Sequence, residues 1–255
     1  MIDLSHLKPR NLNFSSRNAI VYAVNDNQTY VDCMVNSINS ICVNSREILD
    51  GTCFFVITDK NIDLSRLRPE AASRTRILAD LSYDYGSFPM RSRHTKYTFF
   101  RYEIFGNPIF RQFDNVLYLD VDTVVEKSLF ELMVKPGSRI CMVEEMLNFL
   151  KKQGMNAEHY CNAGFILITP KTIGSIVLDD MFKFLVERSR QRSWRMNDQD
   201  VLNLMLADER WTRIRQILDS GWNYGYTTVE KAPPSGQIRI RHFISSQGRY
   251  PKKYL

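Results

Sequence analysis

Short apolar runs alternate along this chain with segments in which apolar residues recur at helical spacing, and this alternation constrains the fold more than any other feature. The apolar runs have the length of buried strands and occupy residues 19–24, 54–59, 116–119, 140–143 and 165–169. A last strand, in which apolar and basic residues alternate, is predicted at residues 238–243. The helical patterns occupy residues 30–41, 64–81, 95–105, 174–190 and 198–207, with Pro69 interrupting the second. This order predicts an α/β fold in which helices flank a largely parallel sheet.

Length and composition are those of one domain with a full core. The chain has 255 residues, of which 44% are hydrophobic and 24% charged, and Gly (11) and Pro (9) are scarce. That balance excludes collagen-like, low-complexity and disordered chains. Because no repeat or Ser/Gly/Pro-rich linker divides the sequence, we expect a single domain over residues 1–255, with residues 1–17 flexible or peripheral.

The sequence shows neither a membrane-spanning run nor a secretory signal pattern. A spanning helix needs about 20 apolar residues, whereas runs such as residues 165–168 contain only a few. The five cysteines are odd in number and widely spaced, which argues against a disulfide framework or a zinc cage and favours a reducing compartment. We therefore expect a cytoplasmic protein without a membrane segment.

Polar residues lie at the ends of several of these runs or directly after them. They are residues 25–27, Asp59, the pair Asp120 and Asp122, and His242. In open α/β sheets, ligands bind outside the carboxyl ends of the strands. These residues are therefore the first candidates for a functional site.

The pair Asp120 and Asp122 is the strongest of these signals. Residues i and i+2 of an extended chain face the same side, and two neighbouring carboxylates repel each other unless a cation lies between them. A hard divalent metal meets that need and also binds diphosphate oxygens. The D-x-D pattern alone is weak, because it recurs at residues 198–200 and a turn cap remains an alternative.

Four segments of the chain resemble one enzyme family in the same order. Residues 115–125 (N-V-L-Y-L-D-V-D-T-V-V) are similar to the K-V-I/L-Y-L-D-A-D-T-L-V segment of retaining glycosyltransferases of family 8, which include glycogenins and lipooligosaccharide galactosyltransferases. Residues 160–168 (Y-C-N-A-G-F-I-L-I), 197–203 (N-D-Q-D-V-L-N) and 240–243 (I-R-H-F) match later segments. The resemblance implies the GT-A fold of nucleotide-diphospho-sugar transferases, with a Rossmann-like mixed, mostly parallel central sheet flanked by helices.

The resemblance also implies a metal and a sugar nucleotide. Asp120, Asp122 and His242 would hold Mn²⁺, which an imidazole beside two carboxylates suits better than Mg²⁺, although Mg²⁺ stays an alternative. Val121, between the two acids, would contact the UDP-sugar donor. Ala23, Asn25 and Tyr30 match the pocket in which the family holds uracil, with the tyrosine ring stacking on the base.

The family places a basic residue for the donor phosphates on the helix before the acidic strand. Arg101 fits that position best, and Lys96 is the competitor. A cation there would stabilise the departing nucleoside diphosphate.

The C-terminal phosphate clamp departs from the family pattern H-F/Y-x-G-x-x-K-P-W. Gly248 comes late and no Trp follows it. Lys252, Arg249 or Lys253 would have to replace the family's lysine. This departure is compatible with an altered affinity of the protein for its sugar-nucleotide donor.

The sugar itself would lie against two of the matching segments. Ala163 and Gly164 have side chains short enough for close approach of the backbone to a sugar ring, and Asn162 offers both a donor and an acceptor. In the family, the residue matching Asp198 binds acceptor or donor hydroxyls. The residue matching Gln199 lies beneath the anomeric carbon.

The implied reaction is retaining transfer of a hexose from UDP-glucose or UDP-galactose to a glycan, protein or small-molecule acceptor. No strong nucleophilic carboxylate is evident near the anomeric position, since Gln199 is a weak nucleophile. We therefore expect the acceptor to attack the face from which UDP departs, with Arg101 and the metal neutralising charge. A homodimer is an open alternative.

Three other interpretations remain. A sugar-1-phosphate nucleotidyltransferase would need a Gly-rich loop after the first strand, and residues 25–28 contain no glycine. A nucleic-acid-binding module is prompted by the net charge of +6 and by the arginines of residues 188–195, although a solvated helix end explains them better. A glycosyltransferase-like scaffold with weakened turnover is compatible with the altered C-terminal clamp.

Overall fold

The computed structural model describes residues 17–89, 96–134, 137, 139–145, 160–191, 198–225 and 238–243. The predictions for residues 1–16, Gly248 and Lys252 lie outside these ranges. The prediction of a single domain over residues 1–255 therefore stays a prediction.

Seven of the described strands form a central sheet in the order β3-β2-β1-β4-β7-β6-β8. Strand β7 runs antiparallel to both of its neighbours, and the other neighbouring pairs are parallel. The strands are β1 (Asn18–Ala23), β2 (Thr52–Ile57), β3 (Thr75–Leu78), β4 (Asn115–Leu119), β5 (Thr123–Val125), β6 (Ile140–Glu144), β7 (Cys161–Ile168), β8 (Arg215–Leu218), β9 (Tyr224–Gly225) and β10 (Ile240–His242). The predicted α/β fold with a mixed, mostly parallel sheet is confirmed.

Helices cover both faces of this sheet. The α-helices are α1 (Gln28–Asn44), α2 (Pro69–Ala72), α3 (Lys96–Phe99), α4 (Glu103–Gly106), α5 (Phe130–Val134), α6 (Pro170–Ile173), α7 (Ser175–Ser189) and α8 (Asp198–Ala207). The 3-10 helices are Arg46–Gly51, Tyr85–Ser87, Phe100–Tyr102, Pro108–Gln112, Thr212–Ile214 and Ser220–Trp222. No helix in the described ranges combines the length and the apolar composition that crossing a bilayer requires.

The central strands are apolar without interruption because both of their faces are buried. In β1, Ala19 and Val21 belong to one buried cluster, whereas Ile20 and Tyr22 belong to the cluster on the opposite side. The first cluster packs against α7 and α8, and the second packs against α1. This burial on two sides produces the continuous runs recognised in the sequence.

A second, small sheet lies beyond the carboxyl end of β4. Within the described residues it contains β5, β10 and β9 in that order. Strand β10 pairs antiparallel with β5 and parallel with β9. It thereby brings a late segment of the chain to the residues that follow β4.

The prediction for residues 64–81 was wrong. Residues 64–81 contain only the short helix α2 and then strand β3, not a mostly helical segment. Pro69 starts α2 because a proline fits the first helical position and Arg68 before it is extended (ψ 145°). The predicted strand at residues 238–243 is confirmed as β10, which belongs to the small sheet.

The helix predicted over residues 95–105 is interrupted. Its described part consists of α3, the 3-10 turn Phe100–Tyr102 and α4. Arg101, Tyr102 and Glu103 are all buried there, and their side chains make contacts with three different parts of the molecule. The interruption therefore lies at the point where this segment contacts the candidate site.

Candidate functional site

The pair Asp120 and Asp122 meets His242 at the carboxyl edge of the central sheet. Asp120 follows β4 directly, and His242 is the last residue of β10, opposite Thr123. His242 Nε2 lies 3.1 Å from Asp122 Oδ1 and 3.7 Å from Asp120 Oδ2. One ligand atom from each of the three residues lies within 4.8 Å of the others, so the structure brings the predicted metal ligands together.

The two oxygens of the Asp120 carboxylate have different surroundings. Oδ1 accepts hydrogen bonds from the Tyr118 hydroxyl at 2.9 Å and from Arg101 Nη2 at 3.1 Å. Oδ2 faces His242 instead. Donors of the protein therefore fix one oxygen and leave the other directed toward the convergence point.

The electrostatic environment of this point favours a positive charge. Burial alone would lower the pKa of His242, but the carboxylates of Asp122 and Asp120 outweigh burial and raise it above its ordinary value. Burial works to raise the pKa of Asp122, and the facing imidazole nevertheless lowers it. Each shift stabilises the charged form of its group, as expected where opposite charges face each other.

Gly164 lets the backbone lie directly against two of these residues. A Cβ atom at this position would clash with His242 and would lie 2.7 Å from Asp120 Oδ2. The adjacent donor set comprises two carboxylates and one imidazole, a combination that suits Mn²⁺ and related divalent ions. The residues present therefore fit a divalent metal ion.

Arg101 joins the acidic pair to the start of α8. Its guanidinium donates to Asp120 Oδ1 and to the backbone oxygen of Ala163, and its Nε lies 3.0 Å from Asp198 Oδ2. Burial disfavours its charge, but Asp120 and Asp198 outweigh burial and keep the pKa of Arg101 above its ordinary value. The guanidinium is therefore a fixed, buried positive charge beside the acidic pair.

Lys96, the competing cation, lies elsewhere on the sheet edge. Its Nζ is 2.5 Å from Asp59 Oδ2 at the end of β2, and the Tyr97 hydroxyl donates to Asp59 Oδ1 at 2.8 Å. Of the two candidates, only Arg101 contacts the acidic pair.

The predicted nucleoside residues lie at the end of β1. Ala23 is the last residue of that strand, and Asn25 is buried with its Oδ1 accepting from the backbone of Asn27. Tyr30 lies in the first turn of α1 and is 38% exposed. A ring that is partly free of the core is available for stacking.

The predicted sugar-binding residues form one hydrogen-bonded group. Gln199 Oε1 accepts from the backbone N–H of Ala163 at 3.0 Å. Asn162 Oδ1 accepts from the backbone N–H of Gly164 at 2.7 Å and from Asn223 Nδ2 at 2.9 Å. These bonds fix both amide side chains beside the backbone that approaches the metal ligands.

Sequence analysis missed Glu145 at the centre of this group. Its Oε2 accepts from Asn162 Nδ2 at 2.6 Å and from Gln199 Nε2 at 3.2 Å, and the residue is buried. Glu145 follows β6 directly, so the search for polar residues at strand ends could have found it. A carboxylate therefore does lie beside Gln199.

The described residues include Val121 and part of the arginine-rich segment, but not the predicted C-terminal phosphate clamp. Val121 is half-buried between the two acids. In the arginine-rich segment, Arg188 lies over the Phe184 ring and Arg190 over the Tyr83 ring. Residues 192–197, Gly248 and Lys252 lie outside the described ranges.

Comparison with known proteins identifies one family. The model of the family described as "Glycosyl transferase family 8" matches residues 19–247. No curated protein sequence matches the chain significantly.

Several solved structures have a similar fold at low sequence identity. The galactosyltransferase LgtC in complex with donor and acceptor sugar analogues is 22% identical, with a TM-score of 0.63 over 89% of this chain and 87% of LgtC. The apo glycosyltransferase GlyE of Streptococcus pneumoniae is 19% identical, with a TM-score of 0.58 over 91% of this chain and 55% of GlyE. Mouse xyloside xylosyltransferase 1 is 12% identical, with a TM-score of 0.57 over 92% and 99% of the two chains. These similarities show a shared fold, the predicted GT-A fold.

Proposed function

This chain belongs to glycosyltransferase family 8, and we propose that it transfers a hexose from UDP-glucose or UDP-galactose to an acceptor hydroxyl with retention of configuration. The acceptor is a glycan, a protein or a small molecule. The observation that carries the proposal is the convergence of Asp120, Asp122 and His242 beside Gly164.

These three residues would hold Mn²⁺, with Mg²⁺ as the alternative. The bound ion would supply Lewis-acid neutralisation of the donor diphosphate. Tyr118 and Arg101 fix one oxygen of Asp120, so the other oxygen is oriented before any ligand arrives. Such preorganisation reduces the reorganisation that binding requires.

Arg101 would supply a positive charge that its ion pairs hold at a fixed position. The guanidinium lies between Asp120 and Asp198, and its fixed positive charge would favour the accumulation of negative charge on departing UDP. Lys252 remains the predicted second cation.

Glu145 and Gln199 would face the sugar. Glu145 orients the Gln199 amide by accepting from its Nε2, while Gln199 Oε1 is held at the Ala163 N–H. Gln199 Oε1 and the Glu145 carboxylate would both stabilise positive charge that develops at the anomeric carbon. Asp198 and Asn162 would bind sugar hydroxyls.

The nucleoside would extend from the metal toward the end of β1. Asn25 and Tyr30 would hold and stack on uracil, beside Ala23. Asp59 and Lys96 lie next to this end, because β2 is the parallel neighbour of β1 and their last residues, Ala23 and Ile57, are in register.

Release of UDP from UDP-glucose and UDP-galactose, measured with Mn²⁺ and with a chelator, tests the proposal. Asp122→Asn should lower Mn²⁺-dependent release by at least about 100-fold, because it removes a charged ligand. Asp50→Asn is the control, since Asp50 is exposed and pairs only with Arg74 among the salt bridges described. Full activity of Asp122→Asn would contradict the metal assignment.

The stereochemical part needs its own measurement. The anomeric proton coupling of the first-formed product, recorded by NMR, should match that of the donor sugar. An inverted product would overturn the proposal of retention.

We also propose a cytoplasmic location, and a homodimer remains an open alternative. All five cysteines are buried free thiols, which supports a reducing compartment. Fractionation of cells that produce the full-length protein would test the location.

A further inference from the structure

His242 reaches the acidic pair on a strand that is too short to specify its own register. Strand β10 has three residues paired with β5 and two paired with β9. Short strands with so few backbone hydrogen bonds are only marginally stable. Side-chain contacts must therefore contribute to the alignment.

The position of the imidazole is sensitive to that alignment. Along β10, Ile240 and His242 face inward and are buried, whereas Arg241 between them is partly exposed. A slip of one residue would turn His242 to the outer face. A slip of two would move it about 7 Å along the strand, far beyond its 3.1 Å distance from Asp122.

Two arginines of this segment contact side chains on both of its sides. The first rung consists of Glu126, Arg241 and Tyr224. Arg241 binds the Glu126 carboxylate through two hydrogen bonds of 2.9 and 3.1 Å, and its Cζ lies 6.0 Å from the centre of the Tyr224 ring. Bidentate arginine–carboxylate pairs are geometrically selective.

The second rung consists of Glu131, Arg239 and Trp222. Arg239 Nη2 donates to Glu131 at 2.8 Å, and its Cζ lies 4.7 Å from the centre of the Trp222 ring. Glu131 is largely exposed, so its ion pair is the weaker of the two. Glu126 and Arg241 are each only about a quarter exposed, which makes the first rung the better candidate for a strong contact.

We propose that the first rung, assisted by the second, sets the register of β10 and thereby positions His242 against Asp120 and Asp122. Arg241 and Glu126 are positioning residues, because they act through the strand and not on a substrate. The consequence for metal binding rests on the proposed function, whereas the consequence for the register does not.

Arg241→Ala in the full-length protein separates this proposal from simple electrostatics. Loss of a nearby positive charge would by itself tighten binding of a cation. Loss of the register would weaken it, and changes around a metal ligand typically cost about 10- to 100-fold in affinity. We expect the Kd of Mn²⁺, measured by electron paramagnetic resonance, to rise by at least about tenfold.

Hydrogen exchange of the metal-free protein gives a second readout. The backbone N–H of Phe243 donates to the backbone carbonyl oxygen of Asp122 at 2.9 Å. The backbone N–H of Glu126 donates to the backbone carbonyl oxygen of Arg239 at 2.7 Å. Both amides should lose protection in Arg241→Ala while those of β1 keep theirs. If the wild type binds no Mn²⁺ but these amides lose protection in the variant, the metal assignment fails and the register proposal stands.

Three further variants complete the test. The exchange Glu126→Arg with Arg241→Glu should restore protection and Mn²⁺ affinity, because it rebuilds the pair in reverse. Arg74→Ala removes an equal charge from the pair with Asp50, and it should change neither the protection of these amides nor the Mn²⁺ affinity. If Arg241→Ala does not fold, Glu126→Gln should show the same two losses. Unchanged protection with unchanged or tighter Mn²⁺ binding in the folded variant would overturn the proposal.

Discussion

At the scale of single residues, the smallest side chain in the site has one of the largest effects on its geometry. Gly164 has no positive φ, so its backbone would tolerate alanine, but a Cβ there would clash with His242 and crowd Asp120. The two neighbours are proposed metal ligands, and Asp120 is also fixed by Arg101. The absence of a side chain at this position therefore allows the arrangement of His242 and Asp120 that the proposed metal site uses.

Gly164→Ala is expected to weaken Mn²⁺ binding by at least about tenfold, because His242 or Asp120 must move. It should also lower the free energy of unfolding by about 1–3 kcal/mol, as overpacking does. Electron paramagnetic resonance and urea unfolding measure the two effects.

Gly51→Ala is the matched control for this change. A Cβ at Gly51 would have Asn18 Nδ2 as its nearest neighbour, at 4.0 Å. Both binding and stability should stay close to the wild type in the control. A Gly164→Ala protein that binds Mn²⁺ normally would show that the space beside His242 is not needed.

Glu103 is a buried carboxylate outside the proposed metal site. It accepts hydrogen bonds from the Ser82 N–H, the Ser82 hydroxyl, the Tyr85 hydroxyl and Asn107 Nδ2. Burial raises the pKa of Glu103 by more than these bonds lower it. A raised pKa in the folded state means that its contribution to stability is complete below the unfolded pKa and is lost as the pH rises through the folded value.

Glu103→Gln should therefore change the pH dependence of stability. The free energy of unfolding of the wild type minus that of the variant should fall as the pH rises above the unfolded pKa of glutamate, about 4.3, and urea unfolding would measure it. Glu70→Gln is the control, for which the same difference should rise with pH. The Glu70 carboxylate accepts hydrogen bonds from its own backbone N–H and from Arg68, and these bonds lower the pKa of Glu70. A difference that rises with pH for Glu103→Gln would contradict the prediction.

The residues of the site were predicted unevenly from the sequence. Asp120, Asp122 and His242 follow or close apolar runs, so the rule for strand ends and the family resemblance both indicated them. Glu145 also follows such a run, but its relevance depends on β6 lying beside β7, which holds Asn162. A single sequence does not reveal that antiparallel pairing.

At the scale of elements, α4 packs so closely on α7 that one position excludes a side chain. A Cβ at Gly106 would lie 2.6 Å from the fully buried ring of Phe182. In the interior of a helix, alanine is normally more favourable than glycine by up to about 1 kcal/mol of helix stability. Packing therefore opposes the intrinsic preference at this position.

Gly106→Ala should lower the free energy of unfolding by about 1–3 kcal/mol, since the clash outweighs the helix preference. Phe182→Leu should reduce that penalty, so a double-mutant cycle in urea should give a coupling energy. Strictly additive effects would show that the two positions do not compete for the same space.

The long buried elements were predicted better than the short ones. Strands β1, β2, β4 and β7 have no exposed residue, and each produces an apolar run. In β3 only Leu78 is buried, and β8 is half-buried throughout, so neither shows an apolar run or a regular alternation. Strands β5 and β9 have three and two residues, which is too few for any periodicity.

At the scale of the whole molecule, the proposed ion would link the central sheet to the small sheet. Asp120 directly follows a strand of the first, and His242 ends a strand of the second. Binding of a ligand only to the folded state raises stability by mass action, by about 2.7 kcal/mol at 100 times Kd. Mn²⁺ should therefore raise the Tm of the protein.

Thermal unfolding with increasing Mn²⁺ measures this effect. His242→Ala should abolish the dependence on Mn²⁺, because it removes the ligand contributed by the small sheet. The Gly51→Ala protein should behave as the wild type. Equal stabilisation of His242→Ala would contradict a site that includes the imidazole.

The wide separation of the proposed metal ligands along the chain also orders events during synthesis. The carboxylates at positions 120 and 122 leave the ribosome long before the imidazole at position 242 does. A nascent polypeptide can therefore build its central strands while the cation site still lacks a ligand. Full metal affinity, and the transfer activity proposed to depend on it, would appear only after position 242 has left the ribosome.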